Sequence, residues 1–225
     1  MKKQLSLIVA FSALLVATSC SQQKTDRALQ EKKQAADPVE VPIKDGLARA
    51  YFASGCFWCV EAVYESVKGV KESISGYAGG HSKNPTYESS NTGRTGHAEA
   101  VEIIYDPKKV SFATLVDVYF GSQNITQVNG QGPDIGSQYR SIIFYQNEEQ
   151  KKIIDEKIAA LNKELAPREV AAEVYPFEKF WKGEDYHQDY EKNNPDNSYV
   201  RNVSIPRLKK FQAKFPELLK EGAKH

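Results

Sequence analysis

The sequence predicts an α+β fold of two layers, a mixed sheet with helices packed on it. Three observations carry that prediction: stretches whose apolar residues recur at helical spacing, short apolar or alternating segments flanking them, and a chain order of β-α-β-β-α-β. Residues 49–53 are a short apolar stretch ending in Ser54-Gly55, a strand followed by a turn. From Phe57 onward, Val60, Val63, Tyr64 and Val67 repeat at helical spacing until Lys68-Gly69 stops the helix. Residues 72–77 alternate around Ile74 as a second strand, and residues 98–105 form a third, closed by Asp106-Pro107. Ser111 caps an amphipathic helix that sets Phe112, Leu115, Val116, Tyr119 and Phe120 on one face. Residues 139–145 read as a fourth strand. Asn147 and Glu148-Glu149 open a long helix striped by Ile153, Ile154, Ile158, Leu161 and Leu165, and residues 169–174 make a fifth strand. The first six elements follow the split order of ferredoxin-like sandwiches. A helix over residues 207–220, interrupted by Pro216, is expected near the end.

The N-terminus decides which residues belong to that fold. Lys2-Lys3 precede a mostly apolar run over residues 5–16, followed by Ala17-Thr18-Ser19 and Cys20. That order reads as a secretory signal peptide, its apolar core too short to span a bilayer as a helix of about 20 residues. A cysteine directly after small residues resembles the lipobox of bacterial lipoproteins, with Ala17 where leucine is usual. Cys20 is therefore the expected lipidation site; the alternative is a secreted protein with a stray cysteine. The expected organisation is a lipoprotein signal peptide over 1–19, a lipidated cysteine and flexible tether over 20–45, and a catalytic domain over 46–225. The tether is rich in Gln, Lys, Asp and Glu and reaches on the order of 25 Å as a coil. The expected location is exported and membrane-anchored, on the periplasmic or cell-envelope side.

The chain carries 30 basic and 29 acidic side chains, or 28 against 29 without Lys2 and Lys3. A balance so near zero makes no electrostatic case for nucleic acid or an acidic membrane. Nothing in the sequence points to an obligate assembly, so a monomer is expected.

Besides Cys20, the cysteines are Cys56 and Cys59, in Gly55-Cys56-Phe57-Trp58-Cys59-Val60-Glu61. This segment lies where a strand turns into a helix. Unpaired N–H groups and the helix dipole favour an anion there, which predicts a lowered pKa for Cys56. Cys59, one turn later, can reach it to form a disulfide. Phe57 and Trp58 supply a small apolar wall. Three other readings stand beside this one. Half a zinc site would need more ligands than His81, His97, His187 and His225 offer in any paired spacing. Two inert core thiols are a second. A thioredoxin-like disulfide exchanger is the third, against which the bulk of Phe57-Trp58 argues. The connections over 78–97 and 122–138 are longer than a compact domain needs, and both read as functional.

Gly55-Cys56-Phe57-Trp58 resembles the signature of the A-type peptide methionine sulfoxide reductases. The likeness continues through Gly76-Tyr77-Ala78-Gly79-Gly80, Asn84-Pro85-Thr86-Tyr87 and Thr95-Gly96-His97-Ala98-Glu99-Ala100. It extends to Asp134, Gln138-Tyr139-Arg140-Ser141 and Glu184-Asp185-Tyr186-His187-Gln188. The resemblance implies a two-layer α+β sandwich acting on the S epimer of methionine sulfoxide, free or within peptides. It implies that Cys56 attacks the sulfoxide sulfur, Phe57 and Trp58 hold the S-methyl group, and Glu99 protonates the oxygen. Tyr87 and Tyr139 would hydrogen-bond that oxygen, with Asp134 supporting the site. The chemistry wants such types independently: a sulfoxide is a methyl group beside a strongly polar S–O bond, and charge developing on oxygen needs a nearby acid. Glu99 shares its strand face with Val101, Ile103 and Tyr105, so burial should keep it protonated.

Many relatives carry resolving cysteines in a C-terminal tail, but this sequence has none after Cys59. Cys59 is then the thiol that resolves the Cys56 sulfenic acid. Neither metal nor prosthetic cofactor is implied; an external thioredoxin-like donor, itself exported or membrane-relayed, would reduce the disulfide.

Overall fold

The computed structural model describes residues 36–223. Cys20 and the signal and tether segments before residue 36 lie outside them. A compact unit runs from Pro38 to the C-terminus. Among the described residues no helix is long and apolar enough to cross a membrane.

The frame comprises β1 (Ala48–Ser54), α1 (Phe57–Glu65), β2 (Val70–Ala78), α2 (Tyr87–Asn91), β3 (Ala98–Tyr105) and α3 (Phe112–Gly121). A two-residue hairpin follows, β4 (Gly130–Gln131) and β5 (Asp134–Ile135), then β6 (Ser141–Tyr145), α4 (Glu148–Leu165), β7 (Glu173–Pro176) and β8 (Phe180–Lys182). Short helix α5 (Tyr190–Asn193) and helix α6 (Ile205–Lys214) end the chain. The main sheet runs β7-β6-β1-β3-β2-β8. Its four central strands are antiparallel neighbours in ferredoxin-like order; β7 adds a parallel edge to β6, and β8 an antiparallel edge to β2. The fold is thus an α+β sandwich with a mixed sheet.

Alternation along the strands builds two cores. Ala50, Phe52, Val101, Ile103 and Ile143 face α1 and α3, meeting Val60, Val63, Tyr64, Leu115 and Tyr119. Tyr51, Ala53, Ala98, Ala100, Ile142 and Phe144 form the opposite face with Tyr175 and Phe177. Full burial of each large apolar side chain is worth about 1.5–3 kcal/mol. The caps are those the sequence announces: Ser111 accepts from the Thr114 amide at 3.0 Å, and Asn147 from the Gln150 amide at 3.0 Å. The described core contains no methionine, for the chain's single Met is residue 1.

Several boundaries differ from the expectation. Residues 38–45, assigned by composition to the tether, belong to the domain's edge: the Val39 amide donates to the Phe177 carbonyl at 2.7 Å and the Val41 amide to Gln146 Oε1 at 2.9 Å. The fourth strand begins at Ser141, because Ser137–Tyr139 turns as a 3₁₀ helix. The fifth begins at Glu173, because the amides of Val170 and Ala171 are taken by Asn162 Oδ1 and the Ile125 carbonyl. The last helix starts at Ile205, accommodating Pro206 in its first turn, and ends at Lys214; a 3₁₀ turn over Pro216–Leu218 follows.

Candidate active site

β1 delivers the chain to the start of α1 through Gly55. Its φ of +86° belongs to the left-handed region, and a Cβ there would lie 2.5 Å from Gln131 Cβ of the β4–β5 hairpin. Cys56 is the N-cap residue of α1, but its side chain makes no capping hydrogen bond. The first helical amide goes elsewhere: Phe57 N–H donates to Glu99 Oε2 at 3.0 Å. The helix terminus expected to favour a Cys56 anion therefore favours the Glu99 carboxylate instead.

A pocket of about 310 Å³ opens over this turn. Cys56, Phe57 and Trp58 line it from α1, Tyr87 from the start of α2, and Glu99 from β3. Asp134 enters from β5 and Tyr139 from the 3₁₀ turn before β6. Both long connections thus contribute to it. Glu99 is 2% exposed, and burial pushes its carboxyl up to about 8 against the opposing pull of the Phe57 amide. It holds a proton at neutral pH. Burial also raises Tyr87, Tyr139 and Asp134. The two tyrosines are therefore neutral hydroxyl donors.

Two residues of this pocket gave no signal in the sequence: Asn197 and Tyr199, from the irregular chain before α6. The Tyr199 hydroxyl donates to Asp134 Oδ2 at 2.6 Å and lies 3.7 Å from Cys59 Sγ. The aromatic wall also has a support that sequence reasoning left without a role. The Trp58 ring stacks on Tyr190 with centroids 3.7 Å apart, and its Nε1–H donates to His187 Nδ1 at 3.1 Å. Accepting there makes His187 the neutral tautomer with its proton on Nε2, and burial lowers its pKa accordingly. Its ring packs 4.8 Å from Phe57 and 4.6 Å from Tyr87. Nε2 is buried without a hydrogen-bond partner, 3.9 Å from Glu184 Oε2. Glu184 in turn accepts from the Tyr77 hydroxyl and the Tyr87 amide, both at 2.8 Å. The only hint in the sequence was the block Glu184-Asp185-Tyr186-His187-Gln188.

Cys59 faces away from this pocket. It lines a second cavity of about 570 Å³ together with Asp134 and Arg207. Both thiols are free and buried. Burial pushes Cys56 well up, helped by its neighbours Cys59 and Glu99. Cys59 is drawn down, first by the neighbouring Cys56 thiol and then, against burial, by the charge of Arg207. The lowered pKa expected of Cys56 is thus not found there, because the cost of burying a thiolate outweighs the helix terminus. His97 accepts from the Gly80 amide at 3.0 Å and contacts the Ser82 carbonyl at 2.9 Å through its other nitrogen. With His187 bonded to Trp58, both buried histidines have bonds apart from the cysteines.

Residues 48–219 match the family profile of peptide methionine sulfoxide reductase. A peptide methionine sulfoxide reductase MsrA of Pasteurella multocida is 46% identical over 172 residues, covering 76% of this chain and 98% of the relative. One from Saccharolobus solfataricus is 46% identical over 171 residues, covering 76% and 96%. Among solved structures, methionine sulfoxide reductase A of Corynebacterium diphtheriae superposes with a TM-score of 0.61 at 32% identity, covering 72% of this chain and 83% of that one.

Proposed function

The chain belongs to the peptide methionine sulfoxide reductase family and is an oxidoreductase that reduces methionine sulfoxide; from that premise we propose how its residues divide the work. The observation that carries the reading is the convergence of a thiol, a protonated buried carboxyl, two neutral tyrosines and an aromatic wall on one pocket. Phe57 and Trp58 receive the S-methyl group, while Tyr87 and Tyr139 donate to the sulfoxide oxygen and Glu99 protonates it. Asp134, held by Tyr199, supports the pocket's edge.

Cys56 attacks the sulfoxide sulfur as its proton passes to the Cys59 thiolate, one turn along α1. Oxygen moves to Cys56 with the proton of Glu99, giving a sulfenic acid, and the thioether leaves. Cys59 then attacks the Cys56 sulfur. The S–S bond forms, the S–O bond breaks, and the hydroxyl leaves as water with the proton Cys59 had taken. Glu99 regains its proton from solvent. A thioredoxin-like dithiol donor reduces the disulfide, with no prosthetic group in the cycle. In this reading the substrate is the S epimer, free or peptide-bound, and the protein works outside the cytoplasm, lipid-anchored at Cys20. Support for the anchor is the order of residues 2–20.

Resolved sulfoxide epimers offered to the purified protein with dithiothreitol test the chemistry: the S form should disappear and the R form persist. Consumption of the R form would overturn the specificity. Metabolic labelling with a fatty acid tests the anchor, which label retained after Cys20→Ser would refute.

A further inference from the structure

Of the two tyrosines assigned to the sulfoxide oxygen, one is held by its own ring and the other is not. The Tyr87 ring packs with its centroid 4.6 Å from that of His187 and 6.3 Å from that of Phe57. Among the described residues, no ring contact or side-chain hydrogen bond holds Tyr139. Its place in the pocket therefore depends on the backbone of the 3₁₀ turn Ser137–Tyr139 that carries it. The Tyr139 amide closes that turn by donating to the Gly136 carbonyl at 3.0 Å.

Arg140 follows the turn directly and ties it down. Its Nη1 donates to the Ser137 carbonyl at 2.8 Å, its Nη2 to the Gly96 carbonyl at 3.0 Å and its Nε to Glu173 Oε2 at 3.1 Å. Ser137 lies two residues before Tyr139, and Gly96 three before Glu99. One guanidinium thus joins the turn that carries the hydroxyl donor to the segment that carries the acid. The sheet shows why a side chain is needed there. β1 lies between β6 and β3 but leaves the sheet after Ser54, which pairs with Ser141, one residue past Arg140. Arg140 spans the gap where β1 has turned away toward Cys56.

We propose that Arg140 is the positioning residue that fixes the Tyr139 hydroxyl relative to the Glu99 carboxyl, so that donor and acid meet one sulfoxide oxygen. This rests on the reading of Tyr139 as a donor to that oxygen.

The surroundings support the assignment. The Arg140 and Glu173 side chains are 12% and 23% exposed, so the pair is partly shielded and Glu173 orients the fork from β7. A planar guanidinium serves three acceptors at once, which the point charge of a lysine cannot reproduce. Other bonds hold the flanks of the turn: the Gly136 amide donates to the Asn129 carbonyl at 2.9 Å, and the Ser141 hydroxyl to Gln123 Oε1 at 2.8 Å. Neither reaches the Glu99 segment, as Arg140 does. A reacting group displaced by about 1 Å can cost about 10²-fold in rate.

The test is a double-mutant cycle on the first step, read as methionine formed in a single turnover of free methionine sulfoxide. It is run in Tyr87→Phe protein, so that Tyr139 is the remaining tyrosine assigned to the oxygen. There Tyr139→Phe and Arg140→Ala should each slow the step about tenfold or more. Together they should slow it no more than about twofold beyond Tyr139→Phe alone, because both remove the same contact. The loss of Tm caused by Arg140→Ala should be the same with or without Tyr139→Phe, which separates positioning from support of the fold. Arg140→Lys keeps a cation beside Glu173 but loses the fork, and should show the same coupled loss of rate.

Losses that multiply independently overturn the proposal, and so does an undiminished rate in Arg140→Lys. Should Arg140→Ala fail to fold, the Lys variant decides alone through the same cycle. A full rate in Tyr139→Phe refutes the donor role of Tyr139, and the proposal with it. A slow Tyr139→Phe beside uncoupled Arg140 losses refutes the proposal alone.

Discussion

Cys56 and Cys59 stand one helical turn apart at the start of α1, and their surroundings treat a negative charge in opposite ways. On the Cys56 side the neighbours are an acid, two neutral tyrosines and aromatic rings, and the thiol is pushed up. On the Cys59 side stand the Arg207 guanidinium, which lines the same cavity, and the Tyr199 hydroxyl at 3.7 Å, and the thiol is drawn down. The Cys56 thiol therefore keeps its proton until a sulfoxide fills the pocket. Placing the base and the acid on opposite sides of the reacting sulfur lets one proton leave Cys56 as another arrives on oxygen. A helix N-terminus alone would have charged the first cysteine; here a carboxyl 42 residues away takes the first helical amide.

The largest effect should separate the two cysteines outright. Cys56→Ser is expected to abolish sulfoxide reduction, whereas Cys59→Ser should still consume about one equivalent, more slowly, and then fail to recycle with thioredoxin. Product counted per enzyme in a single-turnover assay checks this, and sustained cycling by Cys59→Ser would end the contrast. Next in size is Glu99→Gln, which should slow the first step by about 10²–10⁴-fold. Because Glu99 acts in its protonated form, wild-type activity should decline as pH rises through about 8, and the variant should lack that limb. A pH–rate profile of the first step decides it. The smallest is His187→Ala, which frees the Trp58 indole. KM for the sulfoxide should rise about tenfold while Cys59 ionisation stays put, since the wall belongs to the Cys56 side alone. Steady-state kinetics beside an alkylation-rate titration of Cys59 would sharpen the division.

The strands and helices of the frame were legible because each is locally periodic. Residues 98–105 match β3 end to end, and Ser111 and Asn147 cap the helices they precede. Placing Glu99 on the buried face followed from counting twos along that strand. What could not be read comes from the stretch after β8, where no period of two or 3.6 persists. There His187, Tyr199 and Arg207 act through partners far away in sequence: Trp58, Asp134 and Ser54. β8 itself is three residues long, too short for alternation to register. The raised pKa of Cys56 has the same origin, for an argument from one helix end sees neither the burial of that thiol nor Glu99.

The interior of this domain is assembled from Phe, Tyr, Ile, Leu, Val and Ala around Cys56 and Cys59, with no thioether among them. Oxidation of a packed thioether converts a flexible apolar side chain into a polar one and loosens whatever surrounds it. A protein that mends this lesion in others meets the same oxidants as its clients. Having nothing of the kind to lose, it should keep its shape through an assault that unfolds them, and it never competes for its own attention.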